Sequence, residues 1–356
     1  MKKLVVGLIL TFFCFTVGLG FYFWNTYANQ PNTGSHEEVL FEVQPGESYF
    51  QVRKNLESKG LIRNGMIFSL YAKLKGEAGK MKVGEYALRQ DMYPSEVLAV
   101  INSGKSIGRA FTVPEGMSIY EIGEMYEEEG FGTKEDFLNV VHDKELMQTL
   151  LGEQHDTLEG YLFPETYQLT KFTTTKQLVT TMVKKFLAVW DEVKAKASDK
   201  NTSRHQIVTL ASIVEKETGA PEERPLISSV FHNRIKKGMK LQTDPTVIYG
   251  KAESTGNIVI NITRADLLTP TRYNTYTING LPPGPIANPS REAILAAMEP
   301  AESDYLYFVS KNQGTHTFSR EYASHLEAVK KFQLDAKARD GKSWRDLKKE
   351  RTKPQH

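Results

Sequence analysis

Residues 4–24 carry no charged side chain and follow directly on Met1-Lys2-Lys3. At about 1.5 Å of rise per residue, a helix through this run reaches across a hydrocarbon layer of roughly 30 Å. Inside lipid every backbone N–H and C=O must find its partner within the segment, so a helix is the form open to such a run. Lys2 and Lys3 are expected on the cytoplasmic side and Tyr22 and Trp24 at the far interface, which puts the rest of the chain outside the cell. The rival is a cleaved signal peptide, whose apolar core is ordinarily shorter and for which Thr26-Tyr27-Ala28 is a weak cleavage site.

The only cysteine, Cys14, lies in the apolar run, so the exported part has neither an internal disulfide nor a thiolate metal site. Phe13 precedes it, where a lipidation cysteine would follow a small residue. Stability must come from a hydrophobic core, and 356 residues suffice for one or two domains. A formal net charge of +2 singles out no partner, and nucleic acid is not expected as one. No metal and no cofactor are expected. His232, His316 and His325 are scattered without a His-Glu-x-x-His pattern, and neither phosphate-binding glycine motif is present. Ser212 lacks the Gly-x-Ser-x-Gly elbow of a serine hydrolase.

An internal repeat organises the first half. Phe41-Glu42-Val43-Gln44-Pro45-Gly46-Glu47-Ser48 returns as Phe111-Thr112-Val113-Pro114-Glu115-Gly116-Met117-Ser118. Each copy reads as a short strand, a glycine turn and a helix opened by serine, with Gln51 or Glu121 completing a capping-box pattern and Gly60 or Gly130 closing the helix. The first copy leaves room for a helix over 66–74, a strand over 84–88 and a helix over 94–102. A long amphipathic helix is expected over 175–196. Before it, Tyr161, Phe163 and Tyr167 are either one face of a strand against the core or a groove wall, with Glu165 as a carboxylate near a ligand.

Glu215 stands at the end of the apolar run Ile207-Val208-Thr209-Leu210-Ala211-Ser212-Ile213-Val214. On a buried helix stopped by Gly219, desolvation would raise its pKa, as a general acid near neutral pH requires; on an outer face it would be a solvated glutamate. Downstream, residues 241–250 and 273–289 are dense in amides, hydroxyls and aromatic rings, a lining suited to sugar faces and sugar hydroxyls.

Ala211-Ser212-Ile213-Val214-Glu215-Lys216-Glu217-Thr218, the 241–250 and 273–289 blocks and Leu158-Glu159-Gly160-Tyr161-Leu162-Phe163-Pro164-Glu165-Thr166-Tyr167 together resemble the membrane-anchored endolytic murein transglycosylase family, MltG or YceG-like. The resemblance implies that Glu215 is the catalytic acid and that the substrate is the glycan strand of peptidoglycan. The bond cut would be the β-1,4 linkage from N-acetylmuramic acid to N-acetylglucosamine, leaving a 1,6-anhydro end. Peptidoglycan synthases are the partners it suggests, at the cell membrane. It also implies an α+β fold: a single N-terminal transmembrane helix, a LysM-like βα module that holds glycan or merely spaces, and a C-terminal mixed α/β catalytic domain.

The expected boundaries are an anchor at 1–24, a linker at 25–38, the LysM-like module at 39–108, a second strand-helix repeat with helical connection at 109–200, the catalytic domain at 201–330 and a basic helical tail at 331–356. Gln242, Asp244, Tyr249, Asn274 and Tyr276 are expected to face substrate around Glu215. Asp244 has three readings: a positioning group, the second carboxylate of a muramidase that hydrolyses the bond, or the cap of a helix starting at Pro245. A noncatalytic glycan-binding scaffold would keep the aromatic and amide blocks without needing Glu215.

Overall fold

The computed structural model describes residues 2–28, 30–31, 35–197, 203–217, 220–257, 259 and 261–334. The fold mixes helices with strands, and among the described residues the strands occur only as two-stranded ladders. The chain forms two compact units, Met1–Ala110 with Gln168–Thr173, and Phe111–Tyr167 with Thr174–His356.

The first unit runs α1 (Lys2–Ala28), β1 (Glu38–Val43), α2 (Tyr49–Ser58), α3 (Gly65–Leu74), β2 (Gly84–Arg89) and α4 (Pro94–Ser103). β1 and β2 pair antiparallel, Glu38 opposite Arg89 and Val43 opposite Gly84. The inward face of the ladder, Phe41, Val43, Tyr86 and Leu88, closes on Val52, Leu56, Phe68, Leu98 and Ile101 of the helices. Each such side chain contributes roughly 1.5–3 kcal/mol by leaving water. The first helix continues past the uncharged run to Ala28, and its Trp24 and Tyr27 rest on Tyr71 of the module core, ring centroids 4.9 and 6.4 Å apart. Along it Phe12, Phe13, Phe15, Phe21 and Tyr22 are exposed. Among the described residues, which leave out the side chains at 2–10, no helix is long and apolar enough to cross a membrane.

The chain continues through β3 (Arg109–Thr112), α5 (Ile119–Glu128), α6 (Lys134–Val141), α7 (Lys144–Leu151), β4 (Thr166–Leu169), α8 (Thr175–Lys196), α9 (Arg204–Glu217), α10 (Arg224–Lys236), α11 (Asp244–Thr255), α12 (Arg264–Leu268), α13 (Arg291–Met298), β5 (Tyr307–Ser310), β6 (His316–Ser319) and α14 (Tyr322–Val329), the helices from α5 on belonging to the second unit. β3 pairs with β4, and β5 with β6 as an antiparallel hairpin. The centre is α9, whose residues Ile207, Val208, Leu210, Ala211, Ile213 and Val214 are all buried, with α13, α10 and α11 against it. Of the expected basic tail, residues 335–356 lie outside the described residues, as do Thr218 and Gly219, the expected stop of α9.

Both repeat copies turn on a left-handed glycine, Gly46 at φ +78 and Gly116 at φ +76. Ser118 and Glu121 form the full reciprocal cap, while Ser48 accepts from Gln51 N and Glu47 holds the turn by accepting from Gln44 N at 2.9 Å. The Leu158–Tyr167 motif differs from the strand expected there. Residues 158–165 form turns, and the strand begins only at Thr166. Gly160 explains the departure, since its φ of +84 reverses the chain under Pro285 and Val208. Tyr161 and Tyr167 are both buried, which is the core reading of these rings.

A Cβ on Gly160 would stand 2.5 Å from Pro285 Cβ and 2.8 Å from Val208 Cγ1. Left-handed strain of about 1–2 kcal/mol and overpacking of about 1–3 kcal/mol then add. Gly160→Ala should therefore lower the urea midpoint of the second unit substantially, and an unchanged midpoint would contradict this packing.

Candidate active site

The amide of Asn288 joins the segments that build the site. Its Nδ2 donates to Met117 O and to Glu159 Oε1, both at 3.0 Å, and its Oδ1 accepts from Leu162 N at 2.9 Å. Its backbone pairs on both sides of the repeat turn, with Met117 O and Gly116 N at 2.9 Å. Glu159, fully enclosed, also accepts from Ile119 N at 2.9 Å and bonds to Tyr249. Burial pushes its carboxyl up to about 8 against these hydrogen bonds.

This network sets the Gly116 turn against the last turn of α9. A Cβ at Gly116 would lie 3.4 Å from Glu215 Cγ, and Lys216 Nζ donates to Gly116 O at 2.9 Å. The Glu215 side chain is 6 % exposed. Its Oε2 accepts from Ser290 N at 3.0 Å and Ser290 Oγ at 2.5 Å, and its Oε1 from Arg224 Nη2 at 3.0 Å. Ser290 is also the N-cap of α13, taking Ala293 N at 3.2 Å, so Glu215 lies at the positive end of that helix. Arg224 opens α10, and its neighbour Glu223 is clamped by His316, whose N and Nδ1 lie 2.9 and 2.7 Å from the two carboxylate oxygens. The buried helix end expected for Glu215 is there, and its immediate surroundings are polar. The helix supplies burial, but a guanidinium and a helix N-terminus surround the carboxylate.

The other expected residues divide into two groups. Gln242, in the left-handed region at φ +51, and Asp244 are exposed, and Tyr276 donates to Asp244 Oδ1 at 2.7 Å. Asp244 is the first residue of α11 and Thr243 its N-cap, so the capping alternative for Asp244 does not hold. Tyr249 and Asn274 are inside. Tyr249 packs edge-on to Tyr273 at 4.8 Å, and the Asn274 amide donates to Asp266 O, Leu267 O and Thr269 O. Glu165 pairs with Lys185 at 2.9 Å.

A profile of the YceG-like family matches residues 41–331. The chain belongs to the YceG-like family. An endolytic murein transglycosylase of Bacillus subtilis strain 168 is 30% identical over 332 residues, spanning 89% of this chain and 91% of its own. One from Streptococcus pneumoniae serotype 2 strain D39 is 30% identical over 334 residues, spanning 83% of this chain and 60% of its own. The crystal structure of a yceG-like protein from Listeria monocytogenes is 32% identical, with a TM-score of 0.55 over 83% of this chain and 100% of that one.

In this YceG-like chain the residues that sequence reasoning missed are the partners of Glu215. Ser290 follows the 273–289 block by one position and precedes a helix, a cap signal in itself. Arg224 and Glu115 gave no signal, because only folding brings them to α9. Glu217, two residues beyond Glu215, accepts from Thr243 Oγ1 and reaches the turn that carries Gln242 and Asp244. Burial and then Asp244 push its carboxyl up, against the Thr243 bond, to about 7.

The buried acid Glu159 makes stability depend on pH. Its folded value of about 8 exceeds its ordinary 4.5, so between these the folded state holds the extra proton. Its contribution is complete below about 4.5 and lost as pH rises through about 8. Glu217 acts in the same direction. Unfolding free energy should fall across this window, and Glu159→Gln should flatten the slope. A slope identical to that of the unmodified protein would refute the assignment.

Proposed function

We propose that this chain is an endolytic lytic transglycosylase that cleaves the β-1,4 bond between N-acetylmuramic acid and N-acetylglucosamine in peptidoglycan strands, with Glu215 as its acid and base. The observation that carries the reading is the enclosed carboxylate of Glu215, wedged between the Gly116 turn, Arg224 and Ser290. One such group suffices for this chemistry. Protonated Glu215 delivers its proton to the glycosidic oxygen as the C1–O bond breaks. The muramic 6-hydroxyl then bonds to C1 and gives its proton back to Glu215, closing a 1,6-anhydro ring. No water is consumed. The three hydrogen bonds that Glu215 accepts match the second half of this cycle, when the carboxylate is ionised and ready to take a proton.

Exposed Gln242 and Asp244 with half-buried Tyr276 are the proposed substrate-facing set, with Asp244 held by Tyr276 in a positioning role. The first unit is proposed as LysM-like, supported by the order β1, α2, α3, β2 with its strands antiparallel. The first helix is proposed as a single-pass anchor, N-terminus cytoplasmic. Its support is the uncharged run, the continuous helix Lys2–Ala28 and the outward Phe12, Phe13, Phe15 and Phe21. Such an anchor would hold the enzyme beside nascent strands and the synthases that make them.

Glu215→Gln should keep the fold and lose at least ~10²–10⁴-fold in rate on uncrosslinked glycan strands. With the unmodified protein, new muramic ends should be lighter by one water than hydrolysed ends and free of solvent oxygen in labelled water. Labelled reducing ends, with Asp244→Asn as inactive as Glu215→Gln, would point instead to a two-carboxylate hydrolase. A folded, active Glu215→Gln would remove the acid from the mechanism. A reporter fused after His356 should be extracytoplasmic, and a cytoplasmic one would exclude the proposed topology.

A further inference from the structure

We propose that Glu115 is a positioning carboxylate that takes Arg224 from Glu215 whenever Glu215 must hold its proton. The inference rests on the transglycosylase reading and deepens it. Arg224 Nη2 stands 3.0 Å from Glu215 Oε1 and 3.7 Å from Glu115 Oε2, so one nitrogen serves two carboxylates. The two are unlike. Glu215 is 6 % exposed and Glu115 53 %, so one is built into the protein and the other is half in solvent. The guanidinium between them is 10 % exposed, and its Nε makes no hydrogen bond. Since Nε anchors the guanidinium to nothing, a small swing of Nη2 from one carboxylate to the other breaks no hydrogen bond at Nε.

The repeat shows that Glu115 is not there for the turn. In the first copy the acid follows the glycine, and Glu47 secures that turn through Gln44 N at 2.9 Å and Asn55 Nδ2 at 2.7 Å. In the second copy the acid precedes the glycine, and Glu115 turns its carboxylate to Arg224. The charged groups around it are Glu215 and Lys216 of α9, Arg224 of α10 and Glu292 of α13. Partial burial and then the like charge of Glu215 raise the Glu115 carboxyl, while Arg224 lowers it.

The cycle needs this exchange. With Arg224 on Glu115, Oε1 of Glu215 is free to carry the proton that leaves with the glycosidic oxygen. As Glu215 ionises, Arg224 moves to it, and it moves back when the 6-hydroxyl proton arrives. No proton is gained or lost overall.

The test is the pH profile of kcat/KM on uncrosslinked glycan strands, measured with the full chain in detergent. In Glu115→Gln, Arg224 has only Glu215 to pair with, and the like charge is gone. Both changes favour ionised Glu215, so the alkaline limb should move down by about one pH unit. That is a roughly tenfold loss on the alkaline side with near-normal rates on the acid side. Glu115→Asp should return the limb toward its original position, and the melting temperature of both variants should be unchanged. A merely structural role would lower rates equally at all pH. A Glu115→Gln profile superimposable on the unmodified one, or a uniform loss that Glu115→Asp does not restore, would overturn the proposal. Either outcome is distinct from failure of the enzyme reading, in which the unmodified chain makes no cuts or Glu215→Gln still does.

Discussion

One side-chain amide, that of Asn288, holds the catalytic unit together. It is buried, and each of its atoms is used: two donors to Met117 and Glu159, one acceptor for Leu162. An amide in this position has no cheap replacement, because removing it would strand buried backbone groups at about 1–3 kcal/mol each. Everything near Glu215 depends on that junction. The Gly116 turn is hung on Asn288 through the backbone, the Glu159 carboxyl is oriented by it, and Ser290 follows two residues later with its N–H aimed at Glu215.

The local features of the fold were legible in the sequence. Helices end where caps and glycines say they should, as at Ser118 and Gly104, because capping is decided within a few residues. The 175–196 helix has the ends its pattern gives, with Thr174 and Gln177 forming the cap box. Glu215 was legible as the polar end of an apolar helix, but its surroundings were not. Ser290 is 75 positions away, and Asn288 is 129 from Glu159, distances over which periodicity carries no information.

The polar blocks misled in an instructive way. Tyr249 and Asn274 looked like groups meant for a sugar, yet their polarity answers demands of the fold. The last carbonyls of α12 and that of Thr269 just after it lie at a helix end, where intrahelical donors run out, and Asn274 supplies donors to them. An amide buried to satisfy a loop and an amide set out for a ligand have the same letter in sequence. What separates them here is exposure: Asn274 is buried, whereas Gln242 is exposed.

The 171 positions between Asn288 and Met117 also set an order of events in time. A polypeptide is made from its N-terminus, so the Gly116 turn and Glu215 both emerge well before the segment that joins them. Until Asn288 and Ser290 follow, the carboxylate has neither its hydroxyl nor the end of α13, and closing so long a loop is slow relative to forming helices. A chain made only as far as α10 therefore carries its reactive acid without the frame that gives it a target, and competence to cut waits for residues 288–290.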